Sequence, residues 1–112
     1  MKIKTQELTG AALDWAVAKC EGFEPFTDGI SWIIDIEGAY QPLPKYSSDW
    51  SQGGPIIERE KIALVVYWNG RWVAEPEEAV ESVGPTPLTA AMRCLVARKI
   101  GVEVPEELCE RS

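Results

Sequence analysis

The chain contains no histidine. That removes the most common general base and the most common side-chain ligand of transition metals. Serine–histidine and cysteine–histidine catalysis are therefore excluded within one chain. Basic residues are scarce as well: 11 lysines and arginines stand against 18 carboxylates, for a net charge of -7. A phosphate backbone is held by cations that displace its counterions, so this balance disfavours nucleic acid as a partner. The acids are scattered rather than arrayed in a stripe, which argues against nucleic-acid mimicry too. Cysteine occurs only at Cys20, Cys94 and Cys109, without metal-ligand spacing. Plain thiols in a reducing compartment are the simplest reading. Long apolar runs are missing: the longest, Ile62 to Trp68, is strand-sized and falls well short of the roughly 20 residues that cross a bilayer. The first ten residues lack the apolar core of a signal peptide, so no membrane partner is expected and the protein is read as cytoplasmic.

What remains is an ordinary globular balance, 46% hydrophobic and 26% charged over 112 residues. That suits a single domain, residues 1–112, able to form a core without disulfide or metal. From Leu8 to Gly22 apolar residues recur at helical steps (Leu8, Ala12, Trp15, Cys20), with Thr5 or Thr9 as a cap and Gly22 as a stop. Residues 23–29 read as a turn and Ser31 to Ile36 as a strand. From Glu37 to Pro55, three prolines and three glycines predict a long irregular loop, pinned by Tyr40, Tyr46 and Trp50. Lys61–Trp68 and Arg71–Ala74 read as a hairpin closed by a two-residue Asn69-Gly70 turn of type I′. An acidic stretch from Glu75 to Glu81 reads as one helical turn. Thr86 then caps a second helix that starts at Pro87, runs an apolar stripe through Leu88, Ala91, Met92, Leu95, Val96 and Ile100, and stops at Gly101. Pro105 could begin a further turn. The sum is an α+β domain: a small, mostly antiparallel sheet, two helices packed on one face, and a long central loop.

Three places could carry chemistry. In Asp49 to Pro55 (DWSQGGP), Gly53 and Gly54 let the backbone approach a ligand, Trp50 offers a stacking face, and Asp49 and Ser51 offer polar groups. The same residues also suit an Asx-type turn with Trp50 set into the core. No Gly-Lys-Ser/Thr follows, so this is not a phosphate-loop fingerprint, and no cofactor is read. The second place is the start of the Thr86 helix, where free N–H groups and a partial positive charge suit an anion. Thr86, Thr89 and Arg93 could add hydroxyls and a planar donor fork; the alternative reading is simply a well-capped helix. The third is Asp14, either a surface acid beside the core residue Trp15 or a pocket-rim acceptor for a ligand or a residue of the long loop. Five tryptophans in 112 residues also suggest a face left open to a ligand or a subunit, and a homo-oligomer is expected.

The stretches ALDWAVAKCEG, YSSDWSQGGPIIERE, GPTPLTAAMRCLVARKIG and EVPEEL, in this order, resemble the NinX family of small proteins encoded by lambdoid phages and prophages. The resemblance implies a phage accessory protein working in the host cell. It carries over no catalytic residues. The residues favour a non-enzymatic pocket for a small anionic, nucleotide-like ligand between the DWSQGGP segment and the GPTP helix start, serving to sequester or sense a host metabolite or signalling nucleotide. An adaptor or inhibitor docking a host protein through exposed aromatic and acidic surface is the alternative. An enzyme using Asp14, Asp49 or Glu58 with a divalent metal comes third, although no metal site is read.

Overall fold

The computed structural model of the protein describes residues 2–67, 69–75, 81–101 and 103–105. It is an α+β fold of three helices and three small antiparallel sheets. β1 (Lys2–Lys4) pairs with β8 (Glu103–Pro105), joining the two ends of the described chain. A 3-10 turn over Thr5–Glu7 leads to α1 (Gly10–Cys20). The second sheet is a meander of β2 (Phe26–Thr27), β3 (Trp32–Ile36) and β4 (Ala39–Pro42). α2 spans Trp50–Glu60. The third sheet orders β5 (Ala63–Val66), β6 (Trp72–Glu75) and β7 (Ser82–Gly84), and α3 (Pro87–Lys99) follows.

The segment 37–55, expected to be irregular throughout, is irregular only over 43–49; a tight turn and strand precede that connection and the first half of a helix follows it. Ile36 pairs with Ala39 across Glu37 and Gly38, both at positive φ (51° and 87°), so a tight two-residue turn of the primed kind sits here. Asp35 Oδ1 accepts from Gly38 N at 2.8 Å and fixes it. Pro42 is tolerated because β4 is an edge strand. Asp49 then caps α2, its Oδ1 accepting from Ser51 N at 2.9 Å. Gly53 is dictated by packing: a Cβ there would lie 2.5 Å from the Tyr46 carbonyl oxygen and 2.6 Å from Leu88 Cδ2. Gly54 eases the restriction that a proline places on the residue before it in a helix; a Cβ there would meet only the Trp50 ring, at 3.8 Å. At Gly53, a residue that reads locally as a loop marker is thus demanded by a close contact.

The hairpin forms with a different loop. Val66 pairs with Trp72, Tyr67 N donates to Arg71 O, and Gly70 N donates to Tyr67 O. This register leaves three residues, 68–70, between the paired Tyr67 and Arg71, with Gly70 at φ 84°. That is the three-residue arrangement closed by a left-handed glycine, rather than the two-residue type I′ turn. Trp68, residues 76–80 of the acidic stretch, and the turn expected after Pro105 lie outside the described residues.

α3 organises the interior. It packs on β6 and β7 on one side and on α1 and α2 on the other. Instead of one apolar stripe, Leu88, Ala90–Val96 are all buried. Leu13, Val17, Ile34, Met92, Leu95 and Val104 are fully enclosed. A helix between two layers has no solvent face, which is why alanines and a cysteine sit where a surface helix would carry charge. Gly84 approaches α3 so closely that a Cβ would lie 2.8 Å from Ala90 N.

Candidate functional site

Each helix starts with its own solution to the unpaired N–H groups of the first turn. At α3, Thr86 Oγ1 accepts from Thr89 N at 3.1 Å and bonds the Thr89 hydroxyl at 2.9 Å. At α2, Asp49 Oδ1 takes both the N–H and the hydroxyl of Ser51, at 2.9 and 2.7 Å. These bonds hold the Asp49 carboxyl below its ordinary range, the hydroxyl contributing most. At α1, Thr9 occupies the cap position but its side chain makes no cap bond. The helix begins instead at Gly10, with φ 52°.

All three starts open onto one cleft of about 900 Å³. Gly10 and Ala11 come from α1, Trp50 from α2, and Thr86 to Thr89 from the start of α3. Trp32 of β3 and Lys45 complete the wall, and Trp50 keeps 55% of its surface exposed. Trp15 stands behind, edge-on to Trp32 with ring centroids 6.0 Å apart. Among the described residues, the Trp15 Nε1 is a buried donor with no acceptor.

At the opposite ends the helices meet again. Arg59 of α2 donates to both carboxylate oxygens of Glu21, just past α1, at 2.8 and 2.6 Å. Glu60 of α2 pairs with Arg98 and Lys99 of α3, at 3.3 and 3.8 Å. Helices that meet at both ends run in the same sense, so their dipoles add. Each start carries about half a positive charge; at α2 the capping Asp49 carboxylate offsets it, which leaves the α1 and α3 starts to add positive potential at the cleft.

Asp14 lies on the cleft wall, 6% exposed. Its Oδ1 accepts from Ser47 N at 2.8 Å, so it is the acceptor for the segment ahead of α2 that the sequence suggested. Burial pushes its carboxyl above the ordinary value, opposed by its bonds to Ser47 and by Lys45.

Of the nine residues singled out from sequence, Asp14, Trp50, Thr86 and Thr89 share this cleft. Asp49 and Ser51 border a separate groove on the other side of the α2 start. Gly53 is enclosed by Tyr46 and Leu88, and Gly54 faces the Trp50 ring. Arg93 is turned away: its Nε donates to Leu8 O at 3.0 Å and its Nη1 to Val83 O at 2.7 Å, and it borders another cleft. Sequence reasoning missed Trp32, Lys45 and the α1 start. The sequence marked the α1 start only as a helix beginning with Thr5 or Thr9 as its cap, not as part of a site.

Among the described residues, no group of three or more histidine, cysteine, aspartate or glutamate side chains could hold a metal ion. Burial pushes the Cys20 and Cys94 thiols up to about 11, so both are poor nucleophiles. Also among those residues, no helix is long and apolar enough to cross a membrane.

The family profile described as Bacteriophage P22, NinX matches residues 4–99. The chain belongs to the phage NinX family. No curated protein matches it. The match takes in the starts of all three helices, so every element of the cleft lies within the NinX region.

Proposed function

We propose that this NinX protein is a non-enzymatic phage accessory protein that binds a small anionic, nucleotide-like ligand in the cleft at the three helix starts. The observation that carries the reading is the convergence of those starts beside the exposed Trp50 ring. An anionic group finds aligned dipoles and Lys45 there, on a molecule whose net charge of -7 repels it elsewhere. A planar ring finds Trp50, where stacking contributes roughly 1–3 kcal/mol by analogy with base–aromatic contacts. The Asp14 carboxylate repels an anion, so it suits the donor edge of a base at the opposite end of the ligand. Binding of this kind serves to sequester or sense a host metabolite or signalling nucleotide.

The test is a thermal-shift screen of mononucleotides and cyclic dinucleotides against the wild type, Trp50→Ala and Lys45→Ala. The expected outcome is stabilisation of the wild type that both variants weaken. No stabilisation by any compound, or equal stabilisation of all three proteins, removes the reading.

A second reading, docking of a host protein, is favoured by the second sheet. Phe26 and Tyr40 stack edge-to-face at 5.2 Å on its outer side, with Tyr40 72% and the nearby Ile30 94% exposed. It predicts that Tyr40→Ala, not Trp50→Ala, abolishes the protein's effect in infected cells. The same exposed surface would serve the expected homo-oligomer, for which sedimentation of wild type against Tyr40→Ala is the test.

A further inference from the structure

Arg93 is a cation in an unusual place. It lies within α3, 9% exposed, and its guanidinium is met by two backbone carbonyls. Those bonds use two of its five N–H donors. No carboxylate among the described residues lies within ion-pairing distance of it. Neutral carbonyls offset only part of the cost of removing a charge from water. Consistent with this, burial pulls its pKa below the ordinary value.

The side chain is not sealed in. It borders a cleft of about 630 Å³ on the far side of the Gly84-Pro85 segment from the helix-start cleft. Arg71, exposed at the end of the hairpin loop, borders the same space. Its backbone N–H is fixed on Asn69 Oδ1 at 3.0 Å. Gln6 forms part of the floor and is locked in place, its Nε2 donating to Ser82 Oγ at 2.9 Å and its Oε1 accepting from Val83 N at 3.0 Å. Among the described residues one acid, Glu81, also borders the cleft, and it accepts from the Tyr67 hydroxyl at 3.5 Å.

We propose that this second cleft is a binding site for a small oxyanion, phosphate or carboxylate, held between Arg93 and Arg71. The unused donors of Arg93 supply a fixed planar fork, and the exposed Arg71 supplies a second charge at the cleft edge. Gln6 fixes β7 and thereby the carbonyl that orients Arg93. Glu81 opposes the anion and sets how weakly it binds. The site is separate from the helix-start cleft and does not depend on the reading given for it.

The experiment is a titration of the whole protein with inorganic phosphate, and in parallel with acetate, followed by amide NMR and by the Arg93 Nε–H signal. Expected are shifts at Gly70, Arg71, Gly84 and Arg93 Nε–H that saturate. Arg71→Ala, an exposed change that leaves the fold intact, weakens binding about tenfold or more, the loss of one charge-assisted pair. Glu81→Gln tightens it. Arg93→Lys keeps the charge but loses the fork and weakens binding as well; if it does not fold, the Arg71 and Glu81 variants decide alone. Phosphate acting without acetate would assign the site to phosphoryl groups, and both acting would assign it to oxyanions generally. The proposal is overturned if neither anion shifts these signals, if shifts appear only around Gly10 and Thr89, or if Arg71→Ala and Glu81→Gln leave the titration unchanged.

Discussion

Gly53 shows how a residue can mean one thing in a sequence and another in a fold. Its φ is not positive, so its conformational freedom is not what the position uses. It is a glycine because the Tyr46 carbonyl oxygen and Leu88 occupy the space of a side chain. A backbone oxygen cannot turn aside as a rotamer can, so Gly53→Ala must push α2 away from the Tyr46 segment, and the Leu88 side chain must shift as well. The expected cost is about 2 kcal/mol or more, from overpacking, measured by urea unfolding; a neutral effect would mean that the close contact is not made. Asp14 carries a different signature. Its folded-state pKa is raised, so the folded protein holds that proton more tightly than the unfolded chain does. The ionised group therefore lowers stability at neutral pH, and the penalty is relieved as pH falls through the raised pKa toward the ordinary 3.8. Asp14→Asn keeps an acceptor for Ser47 N and removes the titration. Unfolding curves should show the variant gaining most over wild type at neutral pH, with the difference shrinking across that window. A constant difference would show that Asp14 is not the titrating group.

At the scale of elements, α3 is the one whose limits are written in local chemistry. Thr86 caps it, Pro87 starts it, and it ends at Lys99, one residue short of the expected stripe. Thr86→Ala removes the acceptor for Thr89 N, and about 1 kcal/mol should be lost. A chemical-denaturation midpoint equal to that of wild type would show that the exposed cap is replaced by water at no cost. α2 was hidden because Gly-Gly-Pro outweighs a single Asp cap in any local reading, while what favours the helix, burial of Ile56 and contact with α3, is tertiary. The hairpin is the intermediate case. Asn69-Gly70 marks the turn correctly, but whether the strands close over two residues or three depends on which face of β5 meets the core. Leu64 and Trp72 pack inward, and that sets the register. β1, β7 and β8, at three residues each, are too short for periodicity to reveal.

At the scale of the whole molecule, half of the candidate site was legible and half was not. Trp50, Thr86 and Asp14 could be joined because the Thr86-Pro87 start is written in local chemistry, and an aromatic in an apparent loop and an acid on an alanine-rich helix both offer themselves to a ligand. Arg93 could not be placed, because Thr86 is extended rather than helical and β7 covers the face of α3 that Arg93 occupies. The same central burial of α3 makes a prediction about dynamics. Between the third sheet and the other two helices, its amides can meet solvent only if those layers separate, which amounts to global unfolding. The second sheet is held differently. Of its strand residues only Ile34 is fully buried, while β4 is exposed along its length and Phe26 and Tyr40 face outward. It can open locally at little cost in buried area. Hydrogen exchange should therefore be slowest at Met92 and Leu95, following the denaturant dependence of global unfolding, and much faster at Asp35 and Gln41, with little such dependence. Equal protection in the two regions would show that the second sheet is part of the same cooperative unit as the core. Local opening there would also move Trp32, a wall of the helix-start cleft. A ligand held in that cleft should consequently slow exchange in β3 more than in α3.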